Sequence, residues 1–263
     1  MLSSLQNPLV KQLRKLHRAK ERHRQGCFLL EGTHLIEEAC IAGWPLDAVC
    51  HTAAWQRDNP DLWGRAAQQA QRIELVNEAV LEAIATTAHP DGVVASAVRQ
   101  GSARPAVPLS LGLVIETLQD PGNLGTIIRT AAAASVDSVW LSEDSVDLEH
   151  PKVLRASAGQ WFRLPMERRV DWHGDVERLQ GKLQIVATYP TAPLSYWDID
   201  LTQPTLVLVG NEGAGLSSAA LALADTQVSI PVAADVESLN VAVATALVLY
   251  EAVRQRSRST GEV

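Results

Sequence analysis

The chain has 263 residues, 46% of them apolar and 20% charged, an ordinary globular composition at about the length of two domains. Disorder, collagen and coiled coil are excluded. Charge is unevenly spread: residues 1–24 carry Lys11, Arg14, Lys15, Arg18, Lys20, Arg22 and Arg24 against Glu21 alone, a net of +6, so the remainder of the chain is at −13 beneath the formal total of −7. A basic arm on an acidic body suits a polyanionic partner, although a solvated helix face would read the same way.

The longest uncharged run near the C-terminus, Ser238 to Tyr250, is 13 residues, short of the ~20 a membrane-spanning helix needs. No span is expected, and a cytoplasmic location follows. The N-terminus has no apolar core of a secretory signal; its Arg-rich, acid-poor start leaves a transit peptide as the alternative. Cys27, Cys40 and Cys50 are an odd count at wide spacing, and only His51 adjoins any of them. That fits buried reduced thiols better than a metal site, and none is expected.

In chain order, an apolar-periodic basic segment (Leu9, Leu13, Leu16) leads to a strand at Cys27–Leu30, a helix at Glu31–Ile41, a strand at Ala48–His51, a helix near Leu62–Ala70 and an apolar run at Val93–Val98. This predicts a small α/β domain over 1–99. Residues 100–108, with Pro105, Pro108 and Gly101 and no apolar period, read as a linker. Beyond it, runs at Leu111–Ile115, Val139–Leu141, Ile185–Thr188, Leu206–Val209 and Val228–Ile230 alternate with helical patterns, which predicts a parallel sheet covered on both faces in a second α/β domain, 109–263. The last helix, Leu239 to about Arg254, is apolar nearly all round and must be buried on every side, a subunit interface being the natural place.

Three segments can carry chemistry. After the Leu111–Ile115 strand, Pro121 and Gly122 make a turn, Asn123 can cap a helix, and Leu124, Ile127, Ile128 and Ala131 give it a buried face. Gly125 and Arg129 fall one turn apart on the opposite face, where a guanidinium can hold a phosphate in fork geometry. A capped helix with one surface arginine is the plain alternative. The second segment, Gly210-Asn-Glu-Gly-Ala-Gly-Leu-Ser217, follows a buried strand, at the end of an open α/β sheet where ligands sit. Its Gly-x-x-Gly-x-Gly spacing matches neither a dinucleotide fingerprint nor a phosphate loop, and Glu212 would repel phosphate while orienting a guanidinium or hydroxyl. The third, Ile230 to Asn240, joins the last strand to the final helix; Ser238 is placed as its N-cap and Asn240 in its first turn.

Asn123-x-Gly125-x-x-x-Arg129-x-Ala131, then Gly210-Asn-Glu212-Gly-x-Gly215, then Ile230-Pro231 with Ser238-Leu-Asn-Val-x-Val-Ala244, resemble the three ordered motifs of the SpoU/TrmH family of RNA ribose 2′-O-methyltransferases (SPOUT superfamily). Pro151-Lys152-x-x-Arg155-Ala-Ser-x-Gly159 is similar to a segment between the first two. Asn7 to Lys11, Phe28 to Gly32 and His89 to Ala95 resemble the L30e-like RNA-binding domain of these enzymes, so nearly the whole chain is covered. Two positions depart: Ala234 and Ser135 stand where the family usually has glycine.

The resemblance implies S-adenosylmethionine as cofactor, a trefoil-knotted catalytic domain, and homodimerisation through that domain and its C-terminal helix. It places the cofactor on Gly210, Asn211, Gly213, Ile230, Pro231 and Leu239, and the catalytic role on Asn123, Arg129, Glu212, Ser238 and Asn240. Because a guanidinium, with a pKa above about 12, keeps its protons, Arg129 is expected to bind the target phosphate and favour the alkoxide rather than act as base. Glu212 and Asn123 would orient it, and Ser238 and Asn240 the ribose. Structured RNA, ribosomal or transfer, would be held by Lys11, Arg14, Lys15, Arg18, Arg22, Lys152 and Arg155. A non-catalytic RNA-binding protein that retains the fold is the rival reading.

Overall fold

The computed structural model describes residues 1–100 and 109–260, with side chains through 258; all of the expected linker but residue 100 lies outside the described residues. The chain divides into two compact units, Met1–Gly101 with Asp147–Arg163, and Ser102–Val146 with Leu164–Val263. The division therefore differs from the expected one: a 17-residue segment of the second half belongs to the first unit.

The first unit opens with α1 (Pro8–Lys15) and α2 (Ala19–Gln25). Asn7 caps α1, its Oδ1 accepting the Leu9 amide at 2.9 Å, and Pro8 occupies the first turn, where its missing N–H costs nothing. Then come β1 (Cys27–Glu31), α3 (Thr33–Ile41), β2 (Leu46–His51), α4 (Ala53–Asp58), α5 (Pro60–Gln69), β3 (Ala70–Leu75), α6 (Glu78–Ile84) and β4 (Val93–Val98). The sheet runs β1-β4-β2-β3, antiparallel except for the parallel β2–β3 pair. Alternation along β1 divides its residues between two cores: Phe28 and Leu30 join Leu35, Ile36 and Leu62, while Cys27 and Leu29 join Leu9, Leu13, Leu81 and Ile84. Helices thus cover both faces. All three cysteines are free and buried, and burial pushes the Cys50 thiol up to about 12.

The inserted segment carries α8 (Pro151–Ala156), and four charge pairs join it to the body of the first unit. Arg22 meets Asp147, Arg99 meets Glu149 at 2.5 Å, Arg155 meets Glu31 at 3.0 Å and Arg163 meets Glu38 at 2.5 Å. Trp161 packs on Phe28 and Trp44 with ring centroids 5.0 and 5.2 Å apart.

The second unit holds β5 (Leu111–Ile115), α7 (Pro121–Ala133), β6 (Ser138–Ser142), β7 (Met166–Arg169), α9 (Trp172–Glu177), β8 (Gln184–Thr188), β9 (Leu194–Ser195), β10 (Thr205–Val209), α10 (Ser218–Leu223), β11 (Thr226–Ser229) and α11 (Val241–Thr260). Its seven strands are all parallel, in the order β7-β6-β5-β10-β8-β11-β9. Every residue of β5, β6 and β10 is buried, as a sheet covered on both sides requires. From the neighbours β5 and β10 the chain moves in opposite directions along the sheet, to β6 on one side and to β11 on the other. That makes their carboxyl ends a topological switch point.

Two expectations need correction here. The N-cap of α7 is Asp120, three residues upstream of Asn123, because Pro121 takes the first helical position; the Asp120 side chain accepts the Asn123 amide at 2.8 Å. Asn240, not Ser238, caps α11: its Oδ1 accepts the Ala242 amide at 2.9 Å. Along α11, Val243, Leu247 and Tyr250 are 50%, 36% and 51% exposed in one stripe of the single chain.

Candidate functional site

The loops leaving β5 and β10 run side by side because Ile115 and Val209 are register partners. After Val209 the chain turns back within six residues: Asn211 and Gly215 exchange two backbone hydrogen bonds, each 3.0 Å. Only glycine fits at position 210, where a Cβ would lie 2.2 Å from the Gly215 backbone, and Gly215 has φ +69°. Asn211 fills the turn, its Oδ1 accepting the amides of Gly213 and Ala214 at 2.9 and 3.0 Å while its Nδ2 donates to the Thr117 carbonyl at 2.7 Å.

Glu212 joins this loop to the start of α7. Its carboxylate accepts the Asp120 amide at 3.1 Å, the Gln119 amide at 3.4 Å and Asn123 Nδ2 at 3.2 Å. Burial opposes its ionisation, but these donors outweigh the desolvation and hold the carboxyl below the usual carboxylate range. Asn123 Oδ1 in turn accepts from Asn240 Nδ2 at 3.0 Å. One chain of hydrogen bonds, Asn240 to Asn123 to Glu212, therefore connects all three motifs.

A cleft opens beside this chain. Gly210, Asn211, Glu212, Gly213 and Gly215 form one wall, Ile230, Val232 and Glu237 to Leu239 another, and Thr188, Tyr189 and Pro190 after β8 a third. Of the expected cofactor residues, Gly210, Asn211, Gly213, Ile230 and Leu239 line it and Pro231 does not; Ser238 lines it as well. Ala234, a departure from the family pattern, is not among the residues with positive φ, so the missing glycine costs no backbone strain there. Ser135 is: it has φ +55° at the end of α7.

Arg129 is exposed on α7 and makes no hydrogen bond or ion pair with a described residue, so it is not joined to the other four. Gly125, expected beside it on the open face, is buried. In the first unit, Lys11, Arg14, Lys15 and Arg18 are exposed, with Lys11 and Lys15 lining a shallow depression together with Arg24. Arg22 corrects the expectation of an RNA-facing residue: it is 1% exposed, bonded to Asp147 and to the carbonyls of Leu16 and His17. Arg155 is likewise engaged, with Glu31 and Thr86, and belongs to the first unit rather than to the second. Lys152, in the same segment, is exposed.

Sequence reasoning passed over Glu116 and Thr117. The Glu116 carboxylate accepts both the amide and the hydroxyl of Ser217 at 2.7 Å, fastening the far end of the glycine-rich loop. An acid as the first residue past an all-apolar strand, one strand over from a Gly-rich loop, was the available signal.

The residues fit a sulfonium nucleoside. Apolar side chains at Ile230, Val232 and Leu239 suit an aromatic base, and side-chain-free backbone at Gly213 and Gly215 suits polar recognition through peptide groups. A parallel sheet with a glycine-rich cleft at the carboxyl ends of β10, β8 and β11, and an amide-rich polar chain beside it, is a ligand-binding α/β architecture.

The comparisons make the class specific. Residues 110–250 match the SpoU rRNA Methylase family and residues 7–95 the MRM3-like substrate binding domain. An uncharacterized tRNA/rRNA methyltransferase of Synechocystis is 49% identical over 97% of this chain and 94% of its own. The 23S rRNA (guanosine(2553)-2′-O)-methyltransferase RlmP of Bacillus subtilis is 34% identical over 95% of this chain and 97% of its own. The crystal structure of the SpoU methyltransferase AviRb from Streptomyces viridochromogenes, in complex with the cofactor AdoMet, superposes with a TM-score of 0.84 at 32% identity, covering 95% of this chain and 98% of that one. The chain belongs to the SpoU rRNA Methylase family. It is a methyltransferase, and the family's methyl donor is S-adenosylmethionine.

Proposed function

We propose that this protein methylates a ribose 2′-hydroxyl of ribosomal RNA. The observation that carries the reading is the hydrogen-bonded chain Asn240–Asn123–Glu212 at the edge of the glycine-walled cleft. When bound, S-adenosylmethionine supplies an electrophilic methyl group. Gly210, Asn211, Gly213, Ile230 and Leu239 would hold it, with Pro231 shaping the approach to the final helix.

Ribose hydroxyls have high pKa values, so the protein must orient the oxygen and favour its alkoxide. Arg129, exposed and without a protein partner among the described residues, serves this by binding the target phosphate next to the reacting ribose. Glu212 and Asn123 keep the start of α7 in place for it, while Ser238 and Asn240 position the sugar. Lys11, Arg14, Lys15, Arg18 and Lys152 bind backbone phosphates, which gives affinity without sequence information.

Ribosomal RNA is favoured over transfer RNA because the family and a relative covering nearly the full chain are named for ribosomal substrates. The reading places the enzyme in the cytoplasm, with the trefoil threading of its family, as a homodimer through the stripe Val243, Leu247 and Tyr250. No helix among the described residues is long and apolar enough to cross a membrane. Incubation with total RNA and labelled donor, followed by mapping of new 2′-O-methyl groups, tests the function; label confined to transfer RNA moves the substrate, and no label at all overturns it. Leu247→Asp is expected to shift the sedimentation coefficient from dimer to monomer, and an unmutated monomer contradicts the assembly.

A further inference from the structure

Thr117 stands one residue past the all-apolar core of β5 and its Glu116 extension, with φ +54°. A β-branched residue there is an outlier, and such conformations persist only where the surroundings over-determine them. They do: the Thr117 amide donates to Ser142 Oγ at 2.7 Å, Oγ1 donates to Asp144 Oδ2 at 2.8 Å, and the carbonyl accepts from Asn211 Nδ2 at 2.7 Å. Behind it, Ser142 Oγ donates to Asp144 Oδ1 at 2.5 Å and lies 2.9 Å from Ser145 Oγ, which accepts the Leu118 amide at 3.1 Å.

The four amides that follow Glu116 are therefore shared evenly. Those of Thr117 and Leu118 go to Ser142, which ends β6, and to Ser145 beyond it, and those of Gln119 and Asp120 go to Glu212 in the glycine-rich loop. The hydrogen bond from Ser142, before any effect of burial, keeps Asp144 below the usual carboxylate range, so it presents two acceptor oxygens at neutral pH.

We propose that Thr117 and Asp144 are positioning residues for the methyl donor. Neither lines the cleft. They act through Asn211: the Thr117 carbonyl fixes its Nδ2, which leaves Oδ1 aimed at the amides of Gly213 and Ala214 and so sets the shape of the glycine wall. The inference rests on the reading that S-adenosylmethionine occupies this cleft. A purely structural role would lower thermal stability and leave donor affinity alone.

The test measures S-adenosylmethionine binding by calorimetry and steady-state methylation of total RNA for the unmutated protein, Thr117→Val, Thr117→Ser and Asp144→Asn. Valine keeps the branched shape and loses the donor. Its expected effect is at least about fivefold weaker donor binding and a matching rise in KM for the donor, the size of one net hydrogen bond, with kcat within about twofold. Thr117→Ser restores the binding of the unmutated protein. Donor affinity of Thr117→Val within fivefold of normal overturns the inference, as does a serine variant no better than valine. Should Thr117→Val fail to fold, Asp144→Asn, at an exposed acid, is judged by the same fivefold threshold. No binding heat from the unmutated protein overturns the functional reading itself, and this inference with it.

Discussion

The arginines around the inserted segment and the arginine on α7 are placed in opposite ways. In the first unit, Arg22, Arg99, Arg155 and Arg163 each face a carboxylate across the junction between the inserted segment and the body, two contributed from either side. In the second, Arg129 faces outward with no described partner, and the carboxylate of the site, Glu212, is satisfied by amides instead. At the inserted segment, charge specifies how the first unit packs on itself, whereas Arg129 has no such partner, unlike Arg169 and Arg254 of the same unit, which pair with Asp175 and Glu251. A buried pair is a weak source of net stability but is severely missed when half of it is removed.

The largest expected effect follows from that asymmetry. Arg22→Ala leaves Asp147 buried without its cation and should cost about 3–5 kcal/mol, read as a fall in the urea midpoint. Asp147 also fixes the direction of the pH response. Burial raises its pKa, but the bonds from Arg22 dominate and the net shift is downward. The pair's stabilisation is therefore present above the unfolded carboxylate value and disappears as pH falls through the lower folded one. Urea melts of the unmutated protein between neutral and acid pH should show that loss, and Arg22→Ala should not.

Arg129→Lys comes next. It keeps the charge but loses the fork, and kcat should drop about 100-fold with melting temperature and donor affinity unchanged. Near-normal turnover would remove Arg129 from the mechanism and erase the contrast with Arg22. A smaller effect of opposite sign is expected at Ser135, exposed at φ +55° just past α7, where its amide bonds to Ala132 and the next amide to Ala131. This is the helix-terminating position that glycine favours, so Ser135→Gly should add about 1 kcal/mol of stability. Smallest is the combined Lys11→Ala and Lys15→Ala change. Every phosphate deprived of its lysine lowers the slope of log affinity against log salt by about 0.7–0.9, so a filter-binding titration that kept its slope would take α1 out of the RNA interface.

Buried strands were legible because they carry continuous apolar runs: Leu111–Ile115 coincides with β5 and Val93–Val98 with β4. The strands that escaped notice, β3, β7 and β9, are all at or near sheet edges. Ala70–Leu75 has Gln71, Arg72 and Glu74 interleaved, and Met166–Arg169 is mostly charged, because an edge has one open side and needs no apolar run. Caps were misplaced by a residue or more at α7 and α11; at α7 the rule that proline favours the first helical turn would have pointed to Asp120. The polar site was readable by type, since Asn123, Glu212 and Asn240 do form one chain, but nothing local in the sequence distinguishes Arg22, committed to a buried pair, from Lys15, which faces water. That distinction depends on Asp147, 125 positions further along.

The borrowed segment Asp147–Arg163 bears on how such proteins can be recombined. A fragment ending near residue 100 would bring Arg22 and Arg99 without their counter-charges and strip Trp161 from the Phe28 and Trp44 rings, so it should be expressed poorly on its own. Exchanging this first unit between relatives would then require two cut-and-paste operations, one at the front of the gene and one in the middle of the methylase half. A chimera that swapped only the leading hundred residues would inherit mismatched partners at four places.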